Sequence, residues 1–196
     1  MKLSAVVPHW PLDEEVEEAL RRCLGSLPDD CEKLVMVNDG TGFARNVNAG
    51  FRVALGDFVA VLGNDSRIVE GDVYDLCVPG AVTSPAVEGK PGIEPSGFHG
   101  AFWVAPRDVI EQIGPLDERF EGAFFEDDDY LERLREGGVP TLQISSVRVE
   151  SSRTGLTMSK VPHQADAWYA ANERRFAEKW GWTPPPLEFR EADSSK

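Results

Sequence analysis

The sequence predicts an α/β protein with a mostly parallel central sheet flanked by helices. Three observations point there. Short apolar runs alternate with amphipathic stretches over residues 3–62, in the order strand, helix, strand, helix, strand. Each run is too short for a helix and too uniformly apolar for a half-exposed strand, so it reads as a strand buried on both faces. Each run also ends in polar loop residues: His9, then Asn38 and Asp39, then Asn64 and Asp65. Parallel strands need right-handed crossovers, and such sheets collect ligands beyond the carboxyl ends of their strands.

The elements follow in order. "LSAVV" (3–7) is the first strand. "LDEEVEEALRRCLGSL" (12–27) spaces Val16, Leu20, Cys23, Leu24 and Leu27 as a helix does, with acids early and arginines late to match the helix dipole. "KLVMV" (33–37) is the second strand, closed by the turn cluster "NDGTG". "FARNVNAGFRVAL" (43–55) reads as a helix weakened by Gly50, and "DFVAVL" (57–62) as the third strand. A short strand is predicted near 81–87, then a Pro- and Gly-rich loop to residue 100, a strand over 100–106 and a short helix over 107–114. "VPTLQISSVRVES" (139–151) reads as an edge strand or hairpin. Trp168, Tyr169, Ala171, Asn172, Phe176 and Trp180 mark an amphipathic closing helix over 163–180. One domain over 1–182 is expected, with a Pro-rich, charged, flexible tail over 183–196.

The charge balance is 34 acids against 20 bases, a net of −14. That disfavours nonspecific attraction to nucleic acid or to an anionic membrane, so no direct nucleic-acid binding is expected. No apolar run approaches the length of a membrane span, and the first residues do not make a secretory signal, so cytoplasmic residence is the default expectation. Cys23, Cys31 and Cys77 show no CxxC spacing and read as reduced structural thiols.

"FFEDDDYLERLREGG" (124–138) puts four acids, Glu126 to Asp129, at the head of a helix. At about 100° per residue, Leu131 and Leu134 define a buried stripe, Asp127 falls within about 40° of each, and Asp129 points about 160° away from Leu131. The count therefore turns Asp127 inward and Asp129 outward. Two readings of Asp127 are open. It is a cap satisfying free backbone amides, or it is a carboxylate at the mouth of a cleft, acting as general base or metal ligand.

The chain resembles the family-two glycosyltransferases in four stretches, in order: "SAVVPHW", "VMVNDGT", "GFARNVNAGFRVALGDFVAVLGNDS" and "GAFWVAPRDVIEQIGPLDERFEGAFFEDDDYLERLREGG". The resemblance covers about residues 3–138 and implies the nucleotide-sugar-binding GT-A fold. It implies an inverting transfer of sugar from a nucleoside diphosphate, UDP favoured, to a hydroxyl of a glycan, protein or small-molecule acceptor. Because no anchor or added acceptor domain is read, the acceptor is expected to be soluble or presented by another protein. By the same resemblance Asp39 holds the base or ribose, Pro8, His9 and Trp10 border the base, and Arg45, Asn48 and Asn64 face the nucleotide. Trp10 is equally open to ordinary packing and Arg45 to a solvated surface role. Asp65 matches the metal-binding carboxylate of the "DxD" region, which implies Mn2+ or Mg2+, although "GNDS" offers one carboxylate only. Glu126 and Asp127 match the family's "ED", with Asp127 as general base and Glu126 as the alternative. Asp129 takes a structural or capping role, and Asp128 replaces an apolar position.

The family's metal-binding histidine has no direct match in "VRVESSRTG", so Glu150 and His163 are carried as candidate ligands, and Arg153 and Lys160 as neutralisers of the diphosphate. By the same resemblance His99, Gly100 and Trp103 are expected where donor sugar and acceptor meet, with core burial of Trp103 the other reading. Two rival functions follow: a nucleotide-sugar-binding protein without turnover, and a sugar nucleotidyltransferase. The second lacks the glycine-rich loop and lysine that "VVPHWPLDEE" would need.

Overall fold

The computed structural model describes residues 1–38, 40–88, 98–152 and 155–184. The chain runs β1 (Leu3–His9), α1 (Glu14–Gly25), β2 (Glu32–Val37), α2 (Phe43–Val53), β3 (Phe58–Leu62), β4 (Arg67–Glu70) and a 3-10 turn (Val73–Leu76). It continues through β5 (Val82–Val87), β6 (Phe102–Pro106), α3 (Arg107–Ile113), α4 (Glu126–Glu136), β7 (Thr141–Glu150), α5 (Leu156–Ser159) and α6 (Pro162–Trp180). The strands form one sheet in the order β2-β1-β3-β6-β5-β7-β4. β1 pairs with β2 and β3, and β5 with β7, in parallel; β6 runs antiparallel to β3 and β5, and β4 to β7. The sheet is therefore mixed, with its N-terminal part parallel as the alternating runs predict.

Side chains alternate across the sheet, and both faces are covered. Leu3, Ala5, Val7, Phe58, Ala60 and Leu62 face Leu20, Cys23 and Leu27 around α1. Val6, Val59, Val61 and Trp103 face Val47 and Phe51 of α2 and Tyr130, Leu131 and Leu134 of α4. This double burial explains why the central strands read as unbroken apolar runs. Asp13 starts α1 by accepting a hydrogen bond from the Val16 amide at 3.0 Å. Gly50, which weakens α2 by propensity, lets that helix press on β1: a β-carbon there would lie 2.3 Å from Val6.

The segment expected to be an edge strand is β7. Only its end, Arg148–Glu150, pairs outward with β4, so its first half is an edge and its second half interior. β4 and α5 carry no clear sequence signal: β4 is largely exposed, and no residue of α5 is buried. A third apolar cluster, Phe120, Phe125, Tyr169 and Phe176 with Trp180, seats α6 beside the loop that enters α4. Among the described residues no helix is long and apolar enough to cross a membrane. The tail expected over 183–196 lies, from residue 185 onward, outside the described residues, as does most of the loop expected before residue 100.

Candidate active site

Both walls of the candidate site hang on one short turn, residues 99–101, at the carboxyl end of β3. On one side, the amide of Gly63 donates to the Ala101 carbonyl at 2.9 Å, and Ser66 Oγ donates to the same oxygen at 3.2 Å. These two bonds fix the turn that carries Asn64 and Asp65. On the other side, the carboxylate of Asp127 lies against Gly100, where a β-carbon would sit 1.8 Å from Asp127 Oδ2. His99 is tied down through its amide to Ser84 Oγ at 3.0 Å, and its Nδ1 accepts from the Ala101 amide at 3.2 Å. Asp65 and Asp127 thus come from different elements to one rim of the sheet.

Asp127 is half-buried in the first turn of α4. Its Oδ1 accepts from the Asp128 amide at 3.0 Å, while the helix itself has no side-chain cap. Oδ2 is therefore not spent on capping. Glu126 is 6% exposed, and its Oε2 has no partner among the described residues. Burial raises the Glu126 carboxyl well above its ordinary range, and the neighbouring Asp127 charge adds to the shift. Burial also raises Asp127, and burial followed by the Asp127 and Glu132 charges lifts Asp128 to about 8. Of the two acids carried as base, Glu126 is the sequestered one and Asp127 the one at the rim.

Asp129 corrects the helical-wheel expectation. It is fully buried, not outward. Lys179 Nζ reaches its Oδ1 at 2.6 Å, Trp180 Nε1 donates to the same oxygen at 2.9 Å, and Arg133 Nε donates to Oδ2 at 3.1 Å. The wheel took Leu131 and Leu134 as the only buried stripe, whereas α6 covers a second face of α4. The same helix shapes the entry loop. Asn172 Nδ2 is shared among the carbonyls of Glu121, Ala123 and Phe124 at 2.8–3.1 Å. Phe124 and Phe125 carry positive φ of 80° and 71°, a conformation costing roughly 1–3 kcal/mol each in a bulky residue. Packing of both rings on Tyr169 holds them there. The available sequence signal was Asn172 itself, a polar residue on the apolar face of a helix.

At the other wall, Asn64 is 6% exposed, and its Nδ2 lies 3.0 Å from His9 Nδ1. His9 Nε2 lies 3.1 Å from Glu17 Oε1, so buried His9 links α1 to the Asn64 turn. Pro8 is buried within β1, paired with Met36. Half-buried Trp10 stands beside Gly40 and meets Trp168 of α6 with ring centroids 6.4 Å apart. Asp39 lies outside the described residues, as does Arg153.

Several carried residues stand elsewhere. Asn48 is buried and donates to the Leu116 carbonyl at 2.9 Å and to Glu118 Oε1 at 3.0 Å, while its oxygen accepts from the Leu116 amide at 2.9 Å. Both amide hydrogens are consumed in fastening the 116–118 loop, which corrects its reading as a nucleotide contact. Arg45 is exposed and pairs with Glu118 at 3.8 Å. Trp103 belongs to the core, 1% exposed and stacked on Tyr130 at 5.1 Å, so it offers no face to a sugar. Lys160 is bound by Asp13 at 3.0 Å and by Glu15.

The three residues carried as metal ligands do not form one set. Asp65 and Glu150 line a cavity of about 300 Å³ with Arg22, Arg67, Ser151 and Ser152, but Glu150 is paired with Arg67 at 2.6 Å. His163 is exposed at the start of α6. Among the described residues no group of three His, Cys, Asp or Glu side chains is placed to hold a metal ion. Hard divalent cations take about six or more oxygen ligands. The oxygens here suit an ion that brings most of its ligands with it, as one chelated by a diphosphate does, and not an ion held by protein alone.

No protein-family model matches the chain, and no curated protein matches it by sequence. Solved structures do. The mannosyltransferase PcManGT from Pyrobaculum calidifontis, in complex with GDP-Man and Mn2+, superposes with a TM-score of 0.64 at 17% identity, covering 94% of this chain and 66% of that one. The catalytic domain of Drosophila beta1,4galactosyltransferase 7, in complex with xylobiose, gives 0.56 at 20% identity, covering 72% and 64%. GalNAc-T7 with UDP, GalNAc and Mn2+ gives 0.63 at 11% identity, covering 76% and 43%. The chain spans about two thirds or less of the length of each. The fold is the GT-A fold of glycosyltransferases.

Proposed function

We propose that the protein is an inverting glycosyltransferase that moves a sugar from a nucleoside-diphosphate sugar, UDP-linked in the favoured reading, to an acceptor hydroxyl. The carrying observation is the placement of Asp127: a carboxylate raised by burial, with Oδ2 turned onto a glycine at the rim that also bears Asp65. A base for this step must accept a proton near neutral pH and must stand where the acceptor oxygen approaches.

In the reaction the acceptor oxygen attacks the anomeric carbon as Asp127 Oδ2 takes its proton. The bond from that carbon to the diphosphate oxygen breaks, and the nucleoside diphosphate leaves with the electron pair. Gly100, by lacking a side chain, leaves the room that the Asp127 carboxylate occupies. Asp65 would be the residue that holds a divalent ion, and such an ion would supply charge neutralisation for the diphosphate. Trp10 borders the nucleoside at the end of β1. Burial, and then the Asp127 charge, raises the Glu126 carboxyl, which disfavours a second charge beside the base. The mannosyl-, galactosyl- and GalNAc-transferases that share the fold support the reaction class.

The test is a calorimetric screen of UDP-, GDP- and dTDP-sugars with and without Mn2+. Binding of a UDP-sugar that strengthens with Mn2+ is the predicted result. Absence of binding by any nucleotide in either condition overturns the proposal.

A further inference from the structure

The carbonyls of Glu121 to Phe125 carry the chain into α4, and each has a named partner. The Phe125 carbonyl accepts from the Asp129 amide at 2.9 Å, within α4 itself, and the Gly122 carbonyl accepts from the Phe43 amide at 2.6 Å. The carbonyls of Glu121, Ala123 and Phe124 all accept from Asn172 Nδ2, at 2.8, 2.9 and 3.1 Å. An amide nitrogen has two hydrogens, so at least one is shared between carbonyls. Asn172 Oδ1 accepts from Arg175 Nη1 at 2.7 Å, which fixes the direction of the amide. Asn172 is fully buried, on the stripe of α6 that carries Tyr169 and Phe176 into the third apolar cluster. Packing there has no need of an amide, and the loop does.

We propose that Asn172 is a positioning residue for Asp127. The inference rests on the reading of Asp127 as the general base. Carbonyl oxygens turned toward one point repel one another, and the loop that turns them carries Phe124 and Phe125 at φ of 80° and 71°. Such a loop is held in place by its partners, and Asn172 supplies the donors. Asp127 stands three residues beyond the last gathered carbonyl, in the first turn of a helix without a side-chain cap. How the loop delivers Phe125 sets the direction of that turn, and with it the seat of the carboxylate against Gly100. Asn172 acts through the loop and not on the reacting atoms. Its loss leaves three buried carbonyls without a donor, lets the strained pair relax and moves the carboxylate off its seat. The turn that carries Asp65, bonded to Ala101, keeps its place. Base placement and donor binding therefore separate.

The experiment compares the full chain with Asn172→Ala, with Asn172→Ser and with a double variant that adds Phe124→Gly to Asn172→Ala. Calorimetry reads the binding of UDP with Mn2+. Turnover is read as release of UDP from UDP-glucose, UDP-galactose and UDP-N-acetylglucosamine, with water as the acceptor. Asn172→Ala is expected to bind UDP as the wild type does and to release it about a hundredfold more slowly at unchanged KM. Asn172→Ser keeps a hydroxyl donor, loses less, and carries the test if the alanine variant does not fold. Glycine adopts a φ of 80° without strain, so Phe124→Gly lets the loop keep its path unaided. The double variant is expected to recover about tenfold in rate, although its ring contact with Tyr169 is gone. In Asn172→Ala, hydrogen exchange is expected to quicken at the Asp128 and Asp129 amides and not along β1. Three results overturn the positioning role and leave the transferase reading standing: a wild-type rate in the Asn172 variants, a slower rate accompanied by equally faster exchange throughout the chain, or a double variant no faster than the single one. A wild type that releases no UDP overturns both.

Discussion

The carboxylate of Asp127 rests on the α-carbon of Gly100, so closely that no side chain fits between them. Gly100→Ala forces either the turn or the carboxylate to move. A displacement of about 1 Å in a reacting group costs on the order of a hundredfold in rate. The expected result is a fall of that size in kcat with donor affinity unchanged, read from initial rates and calorimetry on the same preparation. An alanine variant with wild-type kcat would remove Gly100 from the account.

Asp129 holds α6 onto α4 through Lys179 and Trp180, is paired within α4 by Arg133, and Lys179 also reaches Asp117 at 2.9 Å. Removing a buried charge leaves its partners uncompensated, at a cost of about 3 kcal/mol. Asp129→Ala should lower the free energy of unfolding in urea by about that amount and loosen the loop that enters α4. Conversion of Lys179 to Met should cost less, because Arg133 and Trp180 continue to satisfy Asp129.

The acid cluster gives a definite sign to the pH dependence of stability. Burial raises Asp128 to about 8 and also raises Glu126 and Asp127. The folded state therefore binds protons more tightly than the unfolded chain. The stability linked to those protons is fully present below the ordinary carboxylate range near pH 4 and is lost as the pH rises toward about 8. Asp128→Asn should raise the melting temperature by a few degrees at pH 8 and by little at pH 4.5, in paired thermal scans. The same shift places the acid limb of the kcat profile above the range of a free aspartate, because Asp127 must lose its proton to act as base.

Asn48 separates the structural from the chemical reading of its motif. With its amide committed to Leu116 and Glu118, Asn48→Ala should destabilise the fold by about 2 kcal/mol and leave nucleotide affinity unchanged in the surviving native protein. A specific loss of donor binding at undiminished stability would return Asn48 to the nucleotide site.

Much of this was legible in the sequence, for physical reasons that particular residues make plain. β1 and β3 are buried on both faces, and their unbroken apolar runs announce it, whereas β2, at the edge of the sheet, is half-buried and its apolar run overstates its burial. β4 is short and exposed and pairs only with the end of β7, so "RIVE" carries no period to read. The four acids of α4 advertised a site, but a single-stripe wheel sent Asp129 outward, because a helix packed on two sides has two inward directions. Trp103 was balanced between sugar platform and core, and only the stacking of Tyr130 and the packing of Phe51 and Phe98 decide for the core. The contacts of Ser152, Leu156 and Thr157 with the Asn64-Asp65 turn span about ninety positions and involve a backbone amide, which no local pattern encodes.

The central claim is that Asp127 takes the acceptor's proton while the donor is held elsewhere. It is tested most directly by comparing Asp127→Asn with the wild type for donor binding and for sugar transfer in one assay series. The account predicts unchanged binding of the nucleotide-sugar and a transfer rate reduced at least a thousandfold, within the span that general-base catalysis contributes, roughly 10²–10⁴. Transfer by the asparagine variant at the wild-type rate would contradict it.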